Sequence, residues 1–487
     1  MPNGIAYLVL ALWPVVCLTL FLRLSLERAI IWSVLGGYLI LPPLAEFDLP
    51  LVPDMDKYAI PNISAFLICV FVMGKSVSFW PQSWTARALV LVFILGVIPT
   101  VLTNGDPILF QVIENSDPIV FLTNILPGLS LRDLFSVVSN QIIVLLPFFL
   151  ARQYLATENG LRQLLLALVV GGIAYSIPSL IEIRLSPQTN VWIYGFFQHS
   201  FEQMMRQGGF RPIVFLPHGL WLAFFMMTTV LAAAALARTK SGLDRNKMLA
   251  VTLYLGVVLV LCKSLASLMY GLALTPLVLL AQPKMLIRLA VTGALIAVIY
   301  PMLRNFGVIP LDAILAQAEA YNPDRAQSLG YRFDNEQQLL ARAAEKTWFG
   351  WGGWGRNLIR HTETAQILTI PDGRWIIVFG TFGWFGYIAE MGLLATPLFL
   401  LGWQMRKLRN DQLSPYVAPI GLILTATMMD MLLNATLIPF TWMCAGAVLG
   451  YAETLQAKAR LQSRKVLFED ALVMGRTSEP GSRRTYL

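Results

Sequence analysis

Residues 331–386 read YRFDNEQQLLARAAEKTWFGWGGWGRNLIRHTETAQILTIPDGRWIIVFGTFGWFG, and this stretch organises the rest of the chain. It begins inside the longest polar insert of the sequence and ends by re-entering an apolar run. Residues 334–348 are amphipathic. Asp334 followed by Gln337 is a capping-box pattern that predicts a helix start, and Leu340, Ala343, Ala344 and Trp348 recur at helical spacing. Such a helix has one face to bury, against headgroups or the top of a helical bundle. The run Gly350-Trp351-Gly352-Gly353-Trp354-Gly355 cannot continue it. Its glycines allow close backbone approach and its tryptophans suit a membrane interface. Pro371-Asp372-Gly373 is turn chemistry, and Arg374-Trp375 opens the next apolar run.

Outward from this insert, apolar runs dominate. Of 487 residues, 56% are hydrophobic and only 13% charged, with a mean hydropathy of +0.64. Soluble domains carry about 25% charged residues, so the composition predicts an all-α polytopic membrane protein. On a template of about 20 apolar residues per span, roughly 12–13 transmembrane helices are expected. The candidate runs are 5–22, 29–44, 59–79, 88–103, 133–151, 163–181, 213–237, 248–262, 265–282, 285–302, 375–403, 414–433 and 436–454. The first lacks a basic n-region and is read as a retained span. Four regions follow: an N-terminal bundle at 1–302, a large loop with amphipathic helices at 303–374 (one helix expected over 311–320), further spans at 375–454, and a basic tail at 455–487, expected to be disordered beyond about 466.

The net charge of +8 sits in short loops and in the tail. Arg152 and Arg162, Arg238 to Lys247, Arg406 to Arg409 and Lys458 to Lys465 fall on one side if spans alternate. That side is then cytoplasmic, and nucleic acid is excluded as a partner. The longer connections 45–58, 104–132, 182–212 and 303–374 share the other side, where an outward-facing site would assemble. The four cysteines are dispersed in apolar runs, and the three histidines show no ligand spacing. Neither a disulfide framework nor a metal is expected.

The order of basic residue, amphipathic helix, glycine-rich turn, polar pair and a span opening Gly-x-x-Gly resembles the C-terminal region of the O-antigen polymerase and O-antigen ligase superfamily. Arg332 matches the family's arginine before the helix, Gly350 to Gly355 its glycine turn, and Gly383-Trp384-Phe385-Gly386 its Gly-x-x-Gly. Upstream, Gly208-Gly209-Phe210-Arg211-Pro212 and Lys263-Ser264 are similar to its polar entries into the central helices. The resemblance covers roughly residues 190–450. Asp372-Gly373 stands where the family has His-Asn. The resemblance implies the membrane C-type glycosyltransferase fold in a bacterial inner membrane, with an active site facing the periplasm and no cofactor. It also implies a polyprenyl-pyrophosphate-linked oligosaccharide as donor, a glycan acceptor, and flippase and chain-length regulator partners.

Such a transfer needs fixed cations for the diphosphate leaving group, and arginine's fork suits phosphate. Arg211, Arg332 and Arg374 are the first candidates, with Arg132 and Arg206 behind them. Arginines at an interface also simply snorkel. The acceptor hydroxyl needs a base; Asp372 is the first candidate and Glu336 the second, although both residue types also cap turns or face solvent. His218, Lys263, Trp351 and Trp354 complete the substrate-binding candidates. The expected function is a polysaccharide polymerase. A ligase acting on another acceptor, a lipid-linked glycan flippase and an envelope scaffold are the competing readings; the flippase predicts inverted repeats, and none is visible.

Overall fold

A computed structural model describes residues 1–49, 52–114, 119–206 and 208–476. The chain is 69% helical with almost no strand, and each of the thirteen apolar runs carries helix. Seven described helices are long and apolar enough to cross a membrane: Gly4–Arg23, Trp84–Leu102, Leu131–Tyr154, Glu158–Arg184, Gly219–Arg238, Pro283–Arg304 and Arg374–Lys407. Ala59–Val72, Leu265–Leu280 and Val417–Asp430 are apolar but shorter. The remaining runs form Leu26–Ile40, Gly242–Leu261 and the start of Pro439–Arg476. This is an all-α, multi-pass membrane protein.

The helix Gly219–Arg238 sits at the centre. Every residue from Leu222 to Ala237 is buried, as a helix that is apolar all round must be. It packs on Gly242–Leu261, Leu265–Leu280 and Glu158–Arg184. Helices after the large insert pack on those before it: Pro439–Arg476 lies along Leu131–Tyr154, and Val417–Asp430 along Pro283–Asn305. Gly446 and Gly450 bring the last helix onto the carbonyls of Phe148 and Arg152, the close approach that small residues four apart permit. Residues from both sides of the insert therefore share one apolar core.

Basic loops gather at one end. Arg238 donates to the carbonyls of Val278 and Ala281, Asn410 bonds Gln282 at 2.9 Å, and buried Arg152 pairs with buried Glu453 at 3.1 Å. The long connections interlock at the opposite end. Lys57 Nζ donates to the Phe215 carbonyl at 2.8 Å. Lys346 reaches the Thr103 carbonyl at 2.9 Å and Asn104 at 2.8 Å, and Arg356 bonds the carbonyls of Pro127 and Asp106.

Three local expectations change. The helix expected to start at Asp334 runs from Pro323 to Ala344. Proline at its first position begins it without a capping box, and Asp334 lies mid-helix. The connection 104–132 contains an antiparallel hairpin, Ile108–Glu114 with Ile119–Leu126, which its mixed composition did not announce. The last helix continues through Arg476, so 466–476 is helical; 477–487 lie outside the described residues. The helix expected over 311–320 is present as Leu311–Tyr321.

The glycine-tryptophan run has a specific partner. Helix Arg374–Gln404 is broken at Gly383, whose φ of 64° and ψ of −159° suit only glycine. The break leaves backbone groups without helical partners. Trp351 and Gly352 donate to the freed carbonyls of Gly380 and Thr381, both at 2.9 Å, while Trp384 and Phe385 donate to the carbonyls of Thr347 and Trp348. Residues 347–352 thus fill the break, and the insert is locked to the span.

Candidate functional site

At the end opposite the basic loops lies a cavity of about 960 Å³. Arg206, Arg211, His218, Lys263, Arg332 and Asp372 all line it, although they come from four separate stretches of sequence. Arg206 stands on a two-residue strand paired with Gly209–Phe210. Lys263, with φ at 53°, holds the sharp turn between Gly242–Leu261 and Leu265–Leu280. Its Nζ donates to the Arg206 carbonyl at 2.9 Å, and the buried Arg211 donates to the Lys263 carbonyl at 3.0 Å. Four cationic residues therefore line one cavity.

The segment carrying Arg211 and His218 is held from all sides. Fully buried Glu182 accepts the amides of Thr189, Ile213 and Val214 at 3.0, 2.7 and 2.9 Å. Tyr175 accepts the Phe215 amide at 3.0 Å, and Gln198 donates to the carbonyls of Val214 and Leu216. Lys57 takes the Phe215 carbonyl. None of these supporting residues was found from the sequence. The one signal available was an ionisable Glu182 at the end of an apolar run.

His218 caps helix Gly219–Arg238: its Nδ1 accepts the Leu220 amide at 2.9 Å. The proton of the neutral ring then sits on Nε2, which faces Gln203 Oε1 at 3.2 Å. Burial, with His199 and three nearby arginines adding to it, pushes the imidazole pKa down to about 3. His218 is therefore a neutral donor at physiological pH, with its other nitrogen already used.

Arg332 projects from Pro323–Ala344 and pairs with Asp372 at 3.4 Å; its guanidinium also reaches the Leu433 carbonyl at 3.4 Å. Partial burial raises the Asp372 carboxyl above its ordinary range, and Arg332 opposes that rise. The chain matches no family model and no curated protein. What the site can do thus rests on its geometry. A half-exposed carboxylate paired with Arg332, in a cavity lined by three further cations, can accept a proton from a hydroxyl while an anion is held in the same cavity.

The other candidates do not line this cavity, although Glu336 shares a small adjoining one with Arg332 and Asp372. Arg374 is clamped by buried Glu390 in a two-bond fork at 2.7 and 2.6 Å. Glu336 is buried against Arg304 at 2.8 Å, and burial raises its carboxyl. Trp351 lies under the Arg342 guanidinium at 3.3 Å and donates to the Arg342 carbonyl, which makes it part of the packed insert. Arg132 and Trp354 line a different cavity.

Proposed function

We propose that the chain is a glycosyltransferase of the inner membrane. It would transfer a glycan from a polyprenyl-pyrophosphate carrier to the hydroxyl of a second lipid-linked glycan and so extend a surface polysaccharide. In this reading the acceptor oxygen bonds to the anomeric carbon and the bond from that carbon to the diphosphate oxygen breaks. Polyprenyl diphosphate leaves, and Asp372 takes the hydroxyl proton. Arg206, Arg211, Lys263 and Arg332 offset the charge that develops on the leaving group. The cavity opens away from the basic loops, which the charge bias of membrane proteins puts toward the periplasm. The observation that supports this reading is the convergence of these four cations and Asp372 on a single cavity.

Single replacements Arg211→Ala, Arg332→Ala and Asp372→Ala in the host test it. Each is expected to shorten the surface glycan on gels while the protein is expressed normally. Wild-type chain length in all three sinks the proposal. Ligation to another acceptor is the second reading and differs in what a deletion strain accumulates. Polymerase loss leaves single repeat units on the acceptor, whereas ligase loss leaves long polymer on the lipid carrier.

A further inference from the structure

A second cavity of about 560 Å³ opens at the same end. Trp221, in the first turn of Gly219–Arg238, lines both cavities. Their charge is opposite. Asp48, Asp54, Asp56 and Asp133 line the second one beside Arg132 and Arg374, and Glu390 already neutralises Arg374. A diphosphate is disfavoured here. Asp56 Oδ1 is fixed by the amides of Tyr58 and Ala59, both at 2.8 Å, and Asp133 by Ser130 at 2.7 and 2.8 Å. These carboxylates are therefore pre-positioned acceptors.

Neutral recognition groups accompany them. Trp354 is 54% exposed and offers its indole, while Asn140 presents an exposed amide from Leu131–Tyr154. Asn62, also in the lining, is only 1% exposed. Its Nδ2 donates to the Ile143 carbonyl at 3.2 Å, and its Oδ1 meets no partner among the described residues. A bound cation is the other ligand that carboxylates suit. Among the described residues, however, no three His, Cys, Asp or Glu side chains are grouped to hold a metal ion. Fixed acceptors, one exposed amide, one unpartnered amide oxygen and an exposed indole match a neutral sugar instead. Hydroxyls donate to the carboxylates and amides, and the apolar ring face covers the indole.

We infer that this cavity is the subsite for the acceptor glycan, a neutral oligosaccharide whose reacting hydroxyl meets the donor beside Trp221. The inference rests on the transferase reading for the word acceptor, and on the second cavity alone for the sugar. It also gives Arg132 and Trp354 a role apart from the diphosphate.

Purified full-length protein in nanodiscs is to be titrated with two probes: lipid-free oligosaccharide released from the host's own surface polysaccharide, and inorganic pyrophosphate. Ligand-observed NMR reads the first and calorimetry the second. The oligosaccharide is expected to bind, with affinity about five- to tenfold weaker in Trp354→Ala and in the helix-compatible Asn140→Ala, the loss of one stacked or hydrogen-bonded contact. Arg332→Ala is expected to leave it unchanged. Pyrophosphate binding is expected to show the reverse pattern. No oligosaccharide binding, or binding untouched by Trp354→Ala and Asn140→Ala, overturns the subsite; so does displacement of the sugar by pyrophosphate. Oligosaccharide binding with this pattern, but no pyrophosphate binding at all, leaves the sugar subsite standing and removes the donor assignment.

Discussion

Asp372 and His218 lie in the same cavity, yet their surroundings drive them to different roles. Burial holds the Asp372 carboxyl above its ordinary pKa, and only its ionised form can take a proton. Activity is therefore expected to rise with pH through that raised value and to fall below it. Asp372→Asn is expected to lower the transfer rate by about 100- to 10,000-fold, checked by in vitro polymerisation across pH with expression held equal. His218 works the other way. Its folded pKa of about 3 lies below the ordinary 6.5, so the unfolded chain binds the extra proton between those values. Stability from this group is present above 6.5 and is lost as pH falls toward 3. Asparagine keeps the helix cap, so His218→Asn is expected to flatten the decline of Tm between pH 6.5 and 4, relative to wild type. A parallel decline in both proteins refutes the neutral-cap assignment.

Among the elements, the broken helix Arg374–Gln404 and the run that fills its break act as one unit. The Gly383 backbone lies where residues with a Cβ are strained by about 1–3 kcal/mol, and an added Cβ would overlap the Trp348 carbonyl. Gly383→Ala is expected to destabilise the protein by at least about 2 kcal/mol. It is read as a drop in Tm and in monodisperse yield; a Tm within one degree of wild type refutes it. The sequence displayed these glycines but not their use. The match between residues 347–352 and the opened turn at 380–385 joins backbone groups that side-chain patterns do not specify. The capping-box reading of Asp334 failed for a related reason. The pattern marks a possible helix start, and a helix already under way from Pro323 simply passes through it.

For the whole molecule, the charge of the loops predicts the orientation. The four native cysteines are all buried, so they leave a quiet background for labelling. In intact cells, Asn140→Cys is expected to react with a membrane-impermeant thiol reagent, and Asp244→Cys only after the membrane is opened. The opposite pattern inverts the assigned topology and puts the basic cavity on the cytoplasmic side.

The thirteen helical runs were legible in the sequence alone, as was the membrane character of the seven described helices long and apolar enough to span, because apolar content is a local property. The amphipathic insert and the clustering of basic loops were legible for the same reason. Which arginines share a cavity was not. Arg332 and Arg374 look alike in sequence, each near the insert, but one meets a half-exposed aspartate and the other a buried glutamate sixteen positions on. That difference depends on which helices touch, and so does the placement of Glu182 and Lys57 behind the loop at 211–218. Long-range packing chose among side chains of equal chemistry, and only the tertiary structure records the choice.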